Sequence, residues 1–236
     1  MGWIKNLIKK KIINLSYSFL EEDAKNIDRA LQRKSLESTV NFILKEKGLI
    51  RSRVFSNRLE LLKYSIYQTR VDGLIMEFGV YKGETINFIA NSLSNKQIYG
   101  FDSFEGLPET WRYNFDKGTF KLDNLPKVKE NVVLVKGWFE ETLPKFIEKH
   151  RNAPVSFIHI DCDLYSSTKT IFNHLKDNIV TGTVIVFDEF FNYIGWEDGE
   201  FKAFNEFINE NNVKYEWLGF VYNNEQVGVK IIKIKK

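Results

Sequence analysis

Cysteine is scarce in this chain: Cys162 is the single example among 236 residues. One thiol excludes a disulfide framework and a cysteine-based metal site within the chain, and it is typical of a reducing compartment. Long apolar runs are also missing, since no stretch approaches the roughly 20 apolar residues that span a bilayer. Lysines interrupt the apolar residues of 1–15, so no apolar core of signal-peptide type is present there. We therefore expect a cytoplasmic protein.

The chain has no strong excess of either charge, with 34 Lys and Arg against 31 Asp and Glu. No basic stripe with interleaved aromatic residues runs through its body, which argues against nucleic acid as a partner. Basic residues cluster near the two ends of the chain, at Lys5, Lys9, Lys10, Lys11, Lys230, Lys233, Lys235 and Lys236. The N-terminal basic helix predicts a peripheral membrane contact, a solvated helix face or a contact in a homo-oligomer.

Hydrophobic periodicity predicts helices in the first third of the chain and a different pattern after Gly73. From there, short apolar runs predict strands over 74–78, 97–101, 132–135, 155–160, 183–187, 214–222 and 227–234. Because helices alternate with these strands, we predict an α/β fold with a doubly wound, mostly parallel seven-stranded sheet. The short turn before the last strand makes that strand antiparallel. The predicted domain covers 58–236 and follows an N-terminal helical extension over 1–57.

Acidic residues stand at the carboxyl ends of four predicted strands, at Glu77, Asp102, Asp161, Asp163, Asp188 and Glu189. Ligands of open parallel sheets bind beyond these strand ends. Aspartate is also a favoured N-cap of the helix that follows a strand. Capping accounts for one or two of these residues, but it accounts less well for a convergent ring of carboxylates, which are costly to bury.

The first strand leads into a glycine loop that contains Gly79 and Gly83. Glycine lets the backbone approach a ligand closely, although a tight turn is the simpler explanation. The loop matches neither GxGxxG nor a P-loop, and Glu77 before it favours a ligand with an ammonium group over a phosphate. Asp102 ends the second strand 25 residues later, where an acid binds the ribose of a nucleoside in this fold. Glu77 and Asp102 together indicate a nucleoside-containing cofactor, unless Asp102 is an ordinary loop residue.

The remaining acids predict a metal centre of Asp161, Asp188 and Glu189, with Asp163 as a weaker fourth possibility. Carboxylate oxygens suit Mg²⁺, and a bound cation lowers the pKa of a neighbouring hydroxyl. Asp161 is our first choice for the general base. His159 is its rival because it lies two residues earlier on the same strand face, although the pattern favours a buried, hydrogen-bonded structural histidine there.

Four segments resemble, in order, the macrocin O-methyltransferase family: 76–83 (MEFGVYKG), 100–108 (GFDSFEGLP), 135–139 (VKGWF) and 159–165 (HIDCDLY). That family includes enzymes that methylate sugars of macrolide and aminocoumarin antibiotics. The resemblance implies a Rossmann-like class I methyltransferase fold, S-adenosylmethionine as the methyl donor, and Mg²⁺-dependent O-methylation of a sugar hydroxyl. The Lys-, Asn- and Ile-rich composition favours an acceptor such as a glycan or another glycosylated metabolite over an antibiotic.

The resemblance also implies roles for single residues. Glu77 and Gly79 would hold the methionine part of the cofactor, Asp102 the ribose, and Ser103 and Trp138 the adenine. The complete predicted cofactor set is Glu77, Gly79, Gly83, Thr85, Asp102, Ser103, Gly137 and Trp138. The metal carboxylates would be Asp161, Asp188 and Glu189, where Glu189 replaces an aspartate of other members. The segment 110–123 would be a mobile lid.

Several alternatives stay open at this point. The acceptor could be a small phenol or catechol, and the chain could be a non-catalytic S-adenosylmethionine- or nucleotide-binding module or an NAD-linked Rossmann enzyme. The missing GxGxxG argues against the last of these. Aromatic residues of the lid either stack on a sugar or pack the lid on the body: Trp111, Tyr113, Phe115 and Phe120. A second aromatic group either walls the acceptor site or fills the core: Phe190, Phe191, Tyr193 and Trp196.

Overall fold

The computed structural model describes residues 2–234, without the side chain of Phe19. Met1 and the predicted basic residues Lys235 and Lys236 lie outside the described residues. The helices are α1 (Gly2–Lys25), α2 (Ile27–Lys45), α3 (Arg58–Gln68), α4 (Glu84–Ser92), α5 (Phe139–Lys149), α6 (Tyr165–Leu175) and α7 (Glu200–Glu210). The strands are β1 (Arg53–Phe55), β2 (Leu74–Phe78), β3 (Ile98–Asp102), β4 (Val132–Lys136), β5 (Val155–Ile160), β6 (Ile179–Phe187), β7 (Lys214–Val221) and β8 (Val227–Lys233).

The strands form one mixed sheet in the order β1-β7-β8-β6-β5-β2-β3-β4. Only β8 runs antiparallel to its neighbours β6 and β7 among the described strands, which confirms the predicted α/β class and the antiparallel last strand. The sheet has eight strands rather than seven, because β1 pairs in parallel with β7 at the edge. Three residues are too few to show a periodic pattern, so the sequence carried no signal for β1. The sheet thus begins before residue 58.

Helices cover both faces of the sheet and divide the core into two layers. On one face α5, α6 and α7 pack against a cluster that includes Phe172, Phe187 and Phe204. On the other face α3 and α4 pack against a cluster that includes Leu61 and Ile86. All six residues of β5 are buried as a result, because successive side chains enter opposite layers and both layers are covered.

The second aromatic group belongs largely to this core. Phe190, Phe191 and Trp196 are at most 3 % exposed, and Phe42 of α2 contacts the rings of Phe190 and Trp196. An acceptor wall formed by these three residues is therefore wrong, and plain packing explains them. The burial of several large rings in one cluster stabilises the attachment of α2 to the domain.

The two N-terminal helices differ in how they meet the rest of the chain. α2 is tied to the domain by Thr39 Oγ1, which accepts a hydrogen bond from Asn192 N at 2.9 Å, and by Ser38 Oγ, which accepts one from Trp196 Nε1 at 2.8 Å. By contrast, every side chain of 3–18 in α1 is exposed. Across residues 2–234, no helix combines the length and the apolar character that crossing a membrane requires.

Candidate active site

A cavity of about 850 Å³ opens at the carboxyl ends of the central parallel strands β2, β3, β5 and β6. Its lining contains most of the predicted site residues: Gly79, Thr85, Asp102, Ser103, Gly137, Trp138, Asp161, Asp188 and Glu189. The tertiary structure therefore brings residues from five separate stretches of the chain to one place. Glu77, Gly83 and His159 do not line it.

The loop after β2 passes very close to the end of β5. Gly79 has φ +90°, and a Cβ built on it would lie 1.6 Å from the carbonyl oxygen of Asp161. Glycine is required here for two reasons, since the backbone angle is unfavourable for L side chains and no space is left for a Cβ. Gly83 instead has φ +81° at the N-cap of α4, so it shapes the turn into the helix rather than the cavity wall.

Asp102 holds the glycine loop and the turn after β3 through three backbone N–H groups. Its Oδ2 accepts hydrogen bonds from Val80 N and Tyr81 N, both at 2.8 Å, and its Oδ1 accepts one from Phe104 N at 2.7 Å. A carboxylate oxygen has two lone pairs, so Oδ1 keeps capacity for a ligand hydroxyl. Asp102 and Gly79 both line the cavity, which is the position predicted for a ribose-binding acid.

Glu77 lies under the loop with its side chain fully buried, so it does not line the cavity, and its predicted contact with the cofactor stays a prediction. Its Oε1 accepts a hydrogen bond from Thr85 Oγ1 at 3.2 Å, and its Oε2 lies 2.9 Å from His159 Nδ1. Burial raises the pKa of Glu77, although His159 opposes this shift. Glu77 thus contacts Thr85 and His159 beneath the cavity wall.

Two of the predicted metal carboxylates meet at the ends of β5 and β6. Ligand atoms of His159, Asp161 and Asp188 all lie within 4.8 Å of one another. Glu189 lines the same cavity but is not a member of this compact group. Its backbone N–H donates to Glu200 Oε2 at 3.3 Å, and Glu200 is fully buried. Sequence reasoning missed Glu200 because nothing in its surroundings along the chain distinguishes it from a helix N-terminal acid.

The site has an excess of buried negative charge. Burial and neighbouring carboxylates raise the pKa of Asp161 and of Glu189 well above their ordinary values. Burial also raises the pKa of Asp163 to about 7, against the opposing effect of Arg112. The pKa of Asp188 is lowered instead, because His159 and Arg58 outweigh the effect of burial. A site of this kind is suited to a cation, which lowers the cost of keeping several carboxylates ionised.

His159 is the main internal counter-charge. Burial alone would lower its pKa, but the carboxylates of Asp188 and Glu77 raise the pKa of His159 to about 10. Three buried side-chain atoms at this end of the sheet have no hydrogen-bond partner among the described residues: His159 Nε2, Asp188 Oδ1 and Glu189 Oε2. Such orphaned atoms are costly unless a group from outside the chain pairs with them. The donor set and its unpaired atoms therefore fit a divalent cation.

The lid is held on the body by contacts that are distant in the sequence. Arg112 Nη1 pairs with Glu225 Oε1 at 3.1 Å, and the guanidinium carbon lies 3.8 Å from the Trp111 ring centroid. Ser166 Oγ donates to Glu109 Oε1 at 2.6 Å. The two members of the ion pair are 113 residues apart, so no sequence pattern predicted it.

The lid aromatics divide into two groups. Trp111, Phe115 and Phe120 line the cavity, where Phe115 and Phe120 contact each other at 5.7 Å between ring centroids. Tyr113 is 89 % exposed and does not line it. Stacking of Tyr113 on a ligand in this cavity is therefore wrong, whereas the other three rings both pack the lid and face the cavity.

A doubly wound sheet with an antiparallel last strand, a glycine loop after β2 and an acid at the end of β3 defines a class I methyltransferase fold. The model of the macrocin-O-methyltransferase (TylF) family matches residues 47–218. The chain therefore belongs to this family and is an O-methyltransferase.

Curated and solved relatives agree with this assignment. The chain is 25 % identical over 222 residues to 8-demethyl-8-(2,3-dimethoxy-alpha-L-rhamnosyl)-tetracenomycin-C 4'-O-methyltransferase of Streptomyces olivaceus, and the match covers 78 % of each protein. The calicheamicin methyltransferase CalS11 superposes with a TM-score of 0.57 at 21 % identity, over 73 % of this chain and 76 % of that one. The O-methyltransferase NovP has a TM-score of 0.57 at 19 % identity, over 75 % and 80 % of the two chains. At these identities the two solved structures support the fold alone.

Proposed function

We propose that the protein transfers the methyl group of S-adenosylmethionine to a hydroxyl of a sugar in a glycan or glycosylated metabolite, assisted by Mg²⁺. One observation carries this proposal: Asp102 beside the glycine loop and the acidic centre of Asp161 and Asp188 line the same cavity. A nucleoside cofactor and a cation-bound acceptor would therefore have adjacent sites. Family membership supports the donor, since the family is one of S-adenosylmethionine-dependent enzymes.

The cofactor half of the cavity would be formed by Gly79, Thr85, Asp102, Ser103, Gly137 and Trp138. Backbone of the glycine loop can approach the methionine part closely because residue 79 has no side chain. Asp102 Oδ1 would accept a hydrogen bond from a ribose hydroxyl. Ser103 and Trp138 are assigned to the adenine. Negative charge in the cavity suits a ligand that carries both a sulfonium and an ammonium group.

The acceptor half would be formed by Asp161, Asp188 and Glu189 under the lid aromatics. These carboxylates would hold Mg²⁺, and the cation would supply orientation of the acceptor hydroxyl and a lower hydroxyl pKa. Asp161 lines the cavity and would take the hydroxyl proton, whereas His159 is fully buried and does not line it. In the transfer, the new oxygen–carbon bond forms as the sulfur–carbon bond breaks, which leaves S-adenosylhomocysteine and a methyl ether.

A sugar acceptor is preferred over a phenol or catechol because the Streptomyces relative acts on a rhamnosyl group. Three aromatic side chains of the lid provide flat apolar faces on which a sugar ring can stack: Trp111, Phe115 and Phe120. Stacking of this kind does not by itself separate sugars from phenols. Methylation assays with nucleotide sugars, lipid-linked glycans and catechol distinguish these acceptors, and methylation of catechol alone would contradict the sugar proposal.

Two measurements test the cofactor and the cation. S-adenosylhomocysteine should raise the thermal unfolding temperature, whereas NAD should not; the reverse result would make the chain a different kind of Rossmann protein. EDTA should abolish methyl transfer and Mg²⁺ should restore it. Binding of S-adenosylhomocysteine without any transfer to a panel of acceptors, with Mg²⁺ present, would favour the non-catalytic binding module.

We further propose that α1 makes a peripheral contact with an anionic membrane surface. Its exposed apolar residues include Trp3, which is 75 % exposed, together with Ile4, Leu7, Ile8 and Ile12. Lysines 5, 9, 10 and 11 are exposed on the same helix, and no acidic residue occurs in its first turn. A helix that combines apolar area with several lysines binds anionic lipid headgroups. A glycan carried on a membrane lipid would then be within reach of the enzyme.

Vesicle sedimentation tests this contact. The protein should sediment with vesicles that contain phosphatidylglycerol and not with pure phosphatidylcholine, and a triple Lys→Glu variant at 9, 10 and 11 should lose the binding. The control is a triple Lys→Glu variant at the exposed Lys127, Lys145 and Lys149. A concentration-dependent homodimer that needs α1, without lipid binding, would overturn the membrane proposal in favour of the predicted homo-oligomer.

A further inference from the structure

Three cationic side chains line the cavity among the described residues, and Arg58 differs from the other two in its surroundings. Arg112 Nη1 is engaged in the ion pair with Glu225 at 3.1 Å. Lys82 is exposed, and its Nζ lies 5.0 Å from the centroid of the Tyr81 ring. Arg58 is the first residue of α3, and its side chain is 36 % exposed. Its guanidinium is therefore partly shielded from water and still reachable from the cavity.

The guanidinium of Arg58 lies between two carboxylates without a hydrogen bond to either. Its Nη1 lies 3.6 Å from Asp188 Oδ2, and its Nη2 lies 3.7 Å from Glu84 Oε2. Both distances are longer than a hydrogen bond. Asp188 Oδ2 already accepts a hydrogen bond from Gln226 Nε2 at 3.1 Å, and the Glu84 side chain is 76 % exposed. The N–H donors of the Arg58 fork therefore remain available for a ligand.

Arg58 lies at the end of the cavity that we assign to the methionine part of the cofactor. Glu84 begins α4 directly after the glycine loop, so the contact with Glu84 places the guanidinium beside that loop. Thr85, the next residue of α4, lines the cavity together with Arg58. Helices α3 and α4 also contact each other, which fixes the position of Arg58 relative to the loop.

The methionine part of S-adenosylmethionine carries a carboxylate as well as an ammonium group. The acidic residues that line this cavity suit the ammonium group but repel the carboxylate. An anion that leaves water without a partner is costly to bury. A guanidinium fork is the best match for a carboxylate, because two parallel N–H groups bind its two oxygens. The cavity therefore needs a cation at its methionine end, where Arg58 lies.

We propose that Arg58 binds the carboxylate of the methionine part and so makes the site selective for a nucleoside that carries a complete amino acid. This inference rests on the proposed S-adenosylmethionine-dependent function. Arg58 would then face one anion in each half of the cavity, the ligand carboxylate in the cofactor half and Asp188 in the acceptor half. Nucleosides with the same sulfur and adenosine but no carboxylate should bind poorly.

S-adenosylhomocysteine and its decarboxylated analogue, 5′-deoxy-5′-(3-aminopropylthio)adenosine, test the contact without any variant. The two ligands differ only in the carboxylate. Isothermal titration calorimetry of the wild-type protein should give a dissociation constant about 10- to 100-fold lower for S-adenosylhomocysteine. This preference should persist in EDTA, because Arg58 and not the cation carries it. Equal affinities, or a preference that disappears in EDTA, would overturn the inference; no binding of S-adenosylhomocysteine would refute the proposed function itself.

Two variants assign the contact to Arg58. Arg58→Met keeps the length of the side chain without its charge, so the preference should fall to about threefold or less, with no weaker binding of the analogue. Arg58→Lys keeps the charge without the planar fork and should retain part of the preference. Lys63→Met is the matched control, since Lys63 is exposed on the same helix and does not line the cavity. An undiminished preference in the Arg58→Met protein would overturn the inference and leave the cofactor site in place.

Discussion

Asp102 illustrates how much of this site depends on one side chain. Its two oxygens accept three backbone hydrogen bonds, two from the glycine loop and one from Phe104 after β3, at 2.7 to 2.8 Å. Hydrogen bonds to a charged acceptor are individually stronger than neutral ones, about 1.5 to 3 kcal/mol each. The residue thus shapes the loop, and in the proposed function it would also offer a lone pair to a ribose.

Replacing Asp102 with alanine should therefore weaken S-adenosylhomocysteine binding by at least about 10-fold, because the loop amides lose their acceptor and the ribose loses its partner. Isothermal titration calorimetry measures the dissociation constant. Asp72→Asn is the control, since Asp72 is exposed and pairs with Lys96 on the surface. Unchanged binding in the Asp102→Ala protein would remove this residue from the cofactor site.

Arg112 is a second residue on which the cavity depends, and it belongs to the lid. It pairs with Glu225 and lies between the rings of Trp111 and Tyr193. Arg112→Met should raise the KM for the acceptor and speed proteolytic cleavage of the lid, with little change in cofactor affinity. Glu225→Gln should have a similar effect, and the double variant should be no worse than either single one. Additive effects would show that the two side chains do not form a functional pair.

At the scale of elements, the loop between β2 and α4 is the most constrained connection. Gly79 has a left-handed backbone, and a Cβ placed on it would clash with the backbone carbonyl of Asp161. Because a Cβ and a backbone carbonyl have no rotamers, no side-chain rearrangement relieves this clash. The loop therefore couples the β2–α4 unit to Asp161, directly after β5.

A pair of glycine substitutions separates backbone strain from steric conflict. Gly79→Ala should destabilise the protein by several kcal/mol, whereas Gly118→Ala should cost only about 1 kcal/mol. Gly118 has a similar φ of +87°, but nothing lies within 4 Å of a Cβ built there. Denaturant unfolding gives both free energies of unfolding. Equal decreases in the free energy of unfolding would mean that the steric conflict with Asp161 contributes nothing.

At the scale of the whole molecule, the acidic cavity links stability to pH. The pKa of Asp163 is raised to about 7 and that of His159 to about 10. In both cases the folded protein holds its proton more tightly than the unfolded chain, so the stability gained is present at low pH and is lost as pH rises. Asp188 acts in the opposite sense, because its pKa is lowered and its contribution is lost in acid.

The cation-free protein should therefore lose stability as pH rises from about 4 to about 10, the window bounded by these shifts and the ordinary values. Unfolding free energies in EDTA across this range measure the slope. Asp163→Asn should flatten the part of the curve between about pH 4 and 7. A saturating divalent cation should reduce the loss above pH 7 because it compensates the ionised carboxylates. Rising stability over this range in EDTA would contradict the assigned shifts.

Much of the fold could be predicted from local patterns in the sequence. Apolar runs and helical periodicity identified the seven longer strands, although β6 begins at Ile179, earlier than the predicted 183–187. The acidic residues of the cavity could be predicted from their positions at strand ends, because the carboxyl ends of parallel strands meet at the same edge of the sheet. The short edge strand β1 was missed, since three residues gain their strand character only from pairing with β7.

The sequence by itself determined the order of strands and helices, the positions that need glycine, and the chemical types of group at the strand ends. Only the tertiary structure decided which of those groups share a cavity. Glu77 and His159 lie 82 residues apart and pair beneath the loop, and Arg112 meets Glu225 across the lid. The physical reason is that periodicity reports which side chains lie on a common face, whereas helix packing over the sheet decides whether that face opens to a ligand or to the core.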